Sequence, residues 1–136
     1  MDGRILVIDG SARMRDLFVG ILELDQLSVR VAEDFNQAKR EQDDTLPDVV
    51  LVDATLANSE TDESSGGSTS ELARFSDTIG TTWPGCEVVF LIDAAHSDLK
   101  RRLERGRFRH FTRPFQIEVL RDLVTGLLDR RKVIGK

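Results

Sequence analysis

The sequence predicts a single doubly wound α/β domain around a five-stranded parallel sheet, and two observations carry that prediction. Continuous apolar runs of four to six residues recur along the 136-residue chain, as expected of parallel strands covered on both faces. Between them lie segments whose apolar residues repeat at helical spacing. Five such alternations within the length of one domain describe strands and helices wound on both sides of one sheet.

The first strand is expected at 4–9, where Ile5, Leu6, Val7 and Ile8 run unbroken into Asp9 and Gly10. A helix follows Ser11, a fitting N-cap, with Met14, Leu17, Phe18, Ile21 and Leu22 as its buried stripe. Strand 28–32 leads to a short polar helix near 35–43. Strand 48–53, DVVLVD, again ends on an acid, Asp53. The polar segment SETDESSGGSTS, 59–70, reads as a flexible loop, and its place directly after Asp53 suggests a functional one. A third helix is expected near 70–80, capped by Ser68 or Ser70 and stopped by TWPG at 82–85. Strand 87–92, a basic helix at 97–105 closed by Gly106, strand 108–111 and a helix at 116–131 complete the chain. The last helix presents Ile117, Leu120, Val124, Leu127 and Leu128 on one face.

Composition narrows the functional classes. Apolar residues make up 40% and charged residues 32% of the chain, an ordinary globular balance. No apolar run approaches the ~18–20 residues that span a bilayer, and the chain enters its first strand at once, without room for a signal peptide. A single cysteine, Cys86, excludes an internal disulfide and fits a cytoplasmic setting; it reads as a core residue at the start of a strand. The net charge of −5 argues against general nucleic-acid binding. Charge is nonetheless uneven: residues 100–113 carry seven Lys or Arg and one Glu, while 58–77 carry five acids and one arginine.

Ligands of open parallel sheets bind outside the carboxyl ends of the strands, where strand order reverses. Asp9 and Asp53 both stand at such ends. If the first and third strands are neighbours, ~4.8 Å apart, the two carboxylates share one small volume, and two anions held together need a cation or a proton.

The stretches ILVIDGSARMR at 5–15, DVVLVDATL at 48–56 and FTRPF at 111–115 together resemble the receiver domain of bacterial two-component response regulators, over nearly the whole chain, 1–136. The resemblance implies a (βα)5 flavodoxin-like fold with strand order 2-1-3-4-5. It implies that Asp53 is the phosphoacceptor for a histidine kinase or phosphotransfer protein, with the carboxylate as nucleophile. It implies Mg²⁺ held by Asp9 and Asp53, and a cis bond at Arg113–Pro114. An output domain could follow DRRKVIGK, or the domain could stand alone.

The resemblance also marks departures. The family has two adjacent acids after its first strand, whereas this chain has Asp9 and then Gly10, so weak or absent Mg²⁺ binding is expected. Leu56 and Ala57 stand where a Met-Pro pair is usual. The switch Thr or Ser is missing, leaving Ile92, Asp93 or Ala94 in its place. Asp93 could serve as a substitute ligand, repel a phosphoryl group, or cap the next helix. Arg113 replaces the pocket lysine, and its rigid fork favours a lasting pair with Asp53 or Asp93. His110 stands where an inward-swinging aromatic is usual.

Two functions therefore compete. One is a phosphoaccepting receiver with an atypical, degenerate pocket. The other is a phosphorylation-independent module that binds a protein target or a second copy through Arg101, Arg102, Arg105 and Arg109 on the 97–105, 108–111 and 116–131 face. An aspartate-nucleophile phosphatase is disfavoured, because the second acid such enzymes place two residues on is here Ser11. No nucleotide-cradling glycine motif and no Cys/His metal cluster is present. The chain is expected to be no enzyme, and to bind neither nucleic acid nor membrane.

Overall fold

The computed structural model describes residues 3–42, 45–59 and 69–134. Five strands, β1 (Arg4–Ile8), β2 (Ser28–Ala32), β3 (Val49–Asp53), β4 (Glu87–Asp93) and β5 (His110–Arg113), form one parallel sheet in the order β2-β1-β3-β4-β5. Six helices connect or follow them: α1 (Ala12–Glu23), α2 (Phe35–Arg40), the single turn α3 (Leu56–Ser59), α4 (Thr69–Thr82), α5 (Ser97–Arg105) and α6 (Ile117–Ile134). The predicted fold and strand order are those observed. Among the described residues, no helix is long and apolar enough to cross a membrane. Most of the predicted loop 59–70, including Ser68, lies outside the described residues.

Alternation along the strands explains why their apolar runs are unbroken. Leu6, Ile8, Val50, Val52, Phe90 and Ile92 face one side, under Phe35, Phe75, Ile79, Trp83, Leu99 and Leu103 of α2, α4, α5 and the α4–β4 turn. Ile5, Val7, Val49, Leu51, Val89 and Leu91 face the other, under Phe18, Ile21 and Leu22 of α1 and Leu120, Val124 and Leu127 of α6. Each such side chain contributes ~1.5–3 kcal/mol of burial. The three central strands are thereby pinned from both sides, and their carboxyl ends open at one edge of the core.

Local chemistry sets the helix ends. Ser11 caps α1, its Oγ accepting from Met14 N at 3.2 Å, and Asp34 caps α2 by accepting from Gln37 N at 2.8 Å. Ser70 falls inside α4 rather than at its cap. Trp83 of the TWPG stop is fully buried, and its Nε1 donates to Gln42 Oε1 at 3.0 Å. Cys86 is half-buried just before β4, against the α2–α4–α5 core.

Three further expectations change. The last strand begins at His110, two residues later than predicted, because the chain first closes α5. Phe108 N donates to Leu103 O and Arg107 N to Glu104 O, the paired bonds of a Schellman turn. Phe108 packs edge-on against Phe90, ring centroids 5.7 Å apart, so its apolar character serves this turn and not the strand. Gly106 is not the left-handed residue: that position falls on Arg107, with φ of 59°. A Cβ at Gly106 would stand 2.3 Å from the Phe108 ring, so glycine serves close approach there. Leu17 and Ile117, predicted as core, are 43% and 44% exposed, flanking a cavity described below.

Candidate functional site

Strand register assembles the site. Ile8 pairs with Val52 on neighbouring strands, so Asp9 and Asp53 leave the sheet side by side, one residue further on. Asp93 and Arg113 are partners across β4 and β5. Four strand ends thus deliver three carboxylates and one guanidinium to one cavity of ≈ 880 Å³, where Asp9, Gly10, Asp53, Asp93 and Arg113 meet an apolar wall that includes Leu17, Phe115 and Ile117.

Asp9 is the deepest group, its side chain 2% exposed. Its Oδ1 accepts from Ser11 N at 2.9 Å and its Oδ2 from Arg113 Nη1 at 2.8 Å. Burial pushes its carboxyl above the ordinary value of 3.8, and the neighbouring Asp53 adds to this, while the Ser11 N–H and Arg113 oppose it. Asp53 uses Oδ1 to accept from both the N–H and the hydroxyl of Thr55, at 2.9 and 2.8 Å. Its Oδ2 lies 3.7 Å from Arg113 Nη2. Asp93 is 58% exposed and holds Oδ1 3.3 Å from Arg113 Nε, without hydrogen-bond alignment. Asp93 does not cap α5, whose N-cap is His96.

Arg113 is therefore the hub of the site, 11% exposed and within ion-pair reach of all three acids. The Arg113–Pro114 bond is cis, as the resemblance implied. Ala94 follows Asp93 and offers only its backbone, its N donating to Arg113 O at 2.9 Å. His110 stands at the opposite end of β5, its Nδ1 3.0 Å from Phe108 O, and lines a separate cavity with Ser76, Glu104 and Arg107. Strand direction thus keeps His110 away from the acids.

The basic face is thinner than its composition suggests. Arg101 is well exposed, with a loose 3.5 Å contact to Asp98. Arg102 is only 14% exposed and bonds Asp98 at 3.0 Å. Arg109 is drawn to Glu87 at 2.9 Å, so of these four arginines Arg101 and Arg105 are the exposed ones.

Two site residues escape the sequence reading. Thr55 locks the Asp53 rotamer, a role hinted at by the Asp-x-Thr spacing that favours local side-chain turns. Arg15 donates from Nη1 to the backbone carbonyl of Asp9 at 2.7 Å. It fixes the β1–α1 turn from the first turn of α1, and nothing in its neighbours distinguishes it from a solvated arginine.

No protein-family model and no curated protein matches the chain. Solved structures do. NtrX from Brucella abortus, in complex with ADP, matches with a TM-score of 0.75 and 26% identity over 99% of this chain and 29% of that one. The chain thus spans less than a third of NtrX. A CheY-like response-regulator receiver domain protein from Methanospirillum hungatei matches at 0.73 and 17%, covering 99% and 100% of the two chains. A response regulator from Thermotoga maritima matches at 0.69 and 21%, covering 95% and 99%. The chain has the response-regulator receiver fold.

Proposed function

We propose that this chain is a receiver module of two-component signalling in which Asp53 keeps the phosphoacceptor position but signalling runs through protein contact, with phosphoryl transfer to Asp53 impaired. The observation that carries this reading is the Arg113 guanidinium lying among Asp9, Asp53 and Asp93 at 2.8, 3.7 and 3.3 Å. A hard divalent cation such as Mg²⁺ needs carboxylate oxygens that are not already engaged by donors. Asp9 has both oxygens engaged, Asp53 has one engaged twice, and Gly10 brings no ligand. Three carboxylates share the cavity, yet among the described residues no three Asp, Glu, His or Cys side chains lie close enough together to hold one ion. This donor set does not fit Mg²⁺ as it stands.

A histidine kinase or phosphotransfer protein is the partner class that the fold suggests. For the contact itself, Arg101 and Arg105 on α5 suit an acidic surface, on a protein target or on a second copy of the chain. Reversing both charges should weaken that association or change the oligomeric state, and an unchanged pull-down and sedimentation profile would remove this part of the reading.

The second reading, a working phosphoacceptor, is favoured by one oxygen. Asp53 Oδ2 makes no hydrogen bond among those described and opens onto the ≈ 880 Å³ cavity. Incubation with a small phosphodonor and Mg²⁺, followed by intact-mass measurement beside an ordinary receiver, separates the two. We expect no stable gain of a phosphoryl group. A stoichiometric gain that disappears in Asp53→Asn establishes the second reading instead.

A further inference from the structure

We infer that Arg113 is the resident cation of this pocket. Its guanidinium takes the place of a free divalent ion, so the intact pocket excludes such ions and removing Arg113 opens a site for them on Asp9 and Asp53. The inference rests on the receiver reading of the pocket and deepens it, from impaired chemistry to its cause.

The argument is one of charge and occupancy. Three carboxylates converge with one guanidinium, a formal balance of −2 when all are ionised. Only one of the three contacts is a hydrogen bond, Nη1 to Asp9 Oδ2 at 2.8 Å. The other two, at 3.7 and 3.3 Å, are Coulombic contacts without bond alignment. Arg113 is thus anchored at the deepest acid and leaves negative charge over at the mouth. Its strand position holds it there, since β5 pairing sets it opposite Asp93 and both neighbouring segments, Phe111 and Phe115, pack under α1 and α6.

Without the guanidinium, Asp9 has almost no solvent and Asp53 stands beside it on the next strand, so the pair needs a proton or another cation. Buried anions in that arrangement demand a countercharge. The acids that remain offer carboxylate oxygens, which select hard ions such as Mg²⁺, Mn²⁺ or Ca²⁺ over thiophilic ones. Magnesium and manganese tolerate one or two carboxylates with water completing the shell. Asp93, largely exposed, has room to turn inward as a further ligand. Gly10 contributes no side chain in the way, and nothing lies within 4 Å of a Cβ built there.

The test is Mn²⁺ binding to the full chain, read by the loss of the free-ion paramagnetic resonance signal, with thermal melts alongside. Wild type should show no saturable binding at millimolar Mn²⁺. Arg113→Ala should bind at least about tenfold more tightly and lose that gain when Asp9→Asn is added. Millimolar guanidinium ion should raise the melting temperature of Arg113→Ala and leave wild type unchanged. Wild type binding Mn²⁺ as tightly as Arg113→Ala, or a folded Arg113→Ala with no gain, overturns the inference. Should Arg113→Ala not fold, Arg113→Lys decides: tighter binding than wild type supports it, and no gain overturns it. Wild-type Mn²⁺ binding without phosphoryl mass gain sinks this inference and leaves the proposed function standing. A phosphoryl mass gain on wild type with no Mn²⁺ bound does the reverse.

Discussion

Arg113 Nη1 donates to Asp9 Oδ2 at 2.8 Å, tying the end of β5 to the end of β1 across the two strands that separate them in the sheet. Both side chains are almost wholly buried. Breaking a buried pair from one side leaves an uncompensated charge, at a cost of ~3–5 kcal/mol. Arg113→Gln should therefore lower urea-unfolding stability by about that amount. Asp9→Asn should cost less, because a neutral amide is cheaper to bury than a charge. The double variant should cost clearly less than the sum of the two, and a double-mutant cycle measures the coupling.

Two acids should bend the pH dependence of stability in opposite senses. Asp25 accepts from Arg121 Nε at 2.9 Å and from Nη2 at 2.5 Å, and that pairing holds its carboxyl below the ordinary value of 3.8. Its contribution is complete above pH 3.8 and fades as pH falls through its lowered value. Asp9, raised above 3.8 by burial, contributes fully below that pH and loses its contribution as pH rises through its raised value. Unfolding curves from about pH 3 to about pH 6 should show the deficit of Asp25→Asn shrinking toward acid. The difference between Asp9→Asn and wild type should shift in favour of the variant as pH rises over the same window.

The sheet and the convergence of acids are legible in the sequence because they rest on period and register. Apolar runs ending in Asp9 and Asp53 place both carboxylates once β1 and β3 are neighbours. What the sequence hides depends on side-chain reach. Arg113 reaches the expected Asp53 and Asp93 only at 3.7 and 3.3 Å and places its hydrogen bond on Asp9 instead. Nothing local announces that bond or the turn of Arg15 back to the Asp9 carbonyl. Leu17 and Ile117 obey the helical period yet line the rim of a cavity, since periodicity marks a face without saying what covers it. Phe108 reads as strand because aromatic residues favour strands, but the turn closing α5 claims it first.

That turn yields a prediction in which glycine and arginine stand one position away from the usual order. Gly106 has an ordinary right-handed conformation, while Arg107 adopts the left-handed one. Arg107→Gly should raise stability by about 1 kcal/mol, relieving the cost of a left-handed side-chain residue. Gly106→Ala should lower it by ~1–3 kcal/mol, because the added methyl meets the Phe108 ring at 2.3 Å. By contrast, Gly20→Ala and Gly126→Ala, on exposed helical positions with open space, should each raise it by ~0.4–1 kcal/mol. Urea midpoints for the four variants check both signs at once.

The pocket's chemistry should be recoverable by two substitutions, and the order of their effects is informative. Gly10→Asp is sterically free, but with Arg113 in place it adds a fourth acid to a pocket whose cation is already committed to Asp9. Alone it should give little Mn²⁺ affinity and no phosphoryl mass gain. Arg113→Lys keeps a positive charge while withdrawing the planar fork that spans Asp9, Asp53 and Asp93, so it should free carboxylate oxygens without supplying a ligand. Gly10→Asp with Arg113→Lys should bind Mn²⁺ ~10–100-fold more tightly than wild type, and should gain mass from a small phosphodonor at Asp53. If the folded double variant binds Mn²⁺ yet gains no mass, the block lies at Asp53 itself, where Thr55 holds Oδ1 with two donors. Adding Thr55→Val removes one of those donors and leaves the backbone N–H, so a mass gain appearing only then assigns the restraint to the hydroxyl.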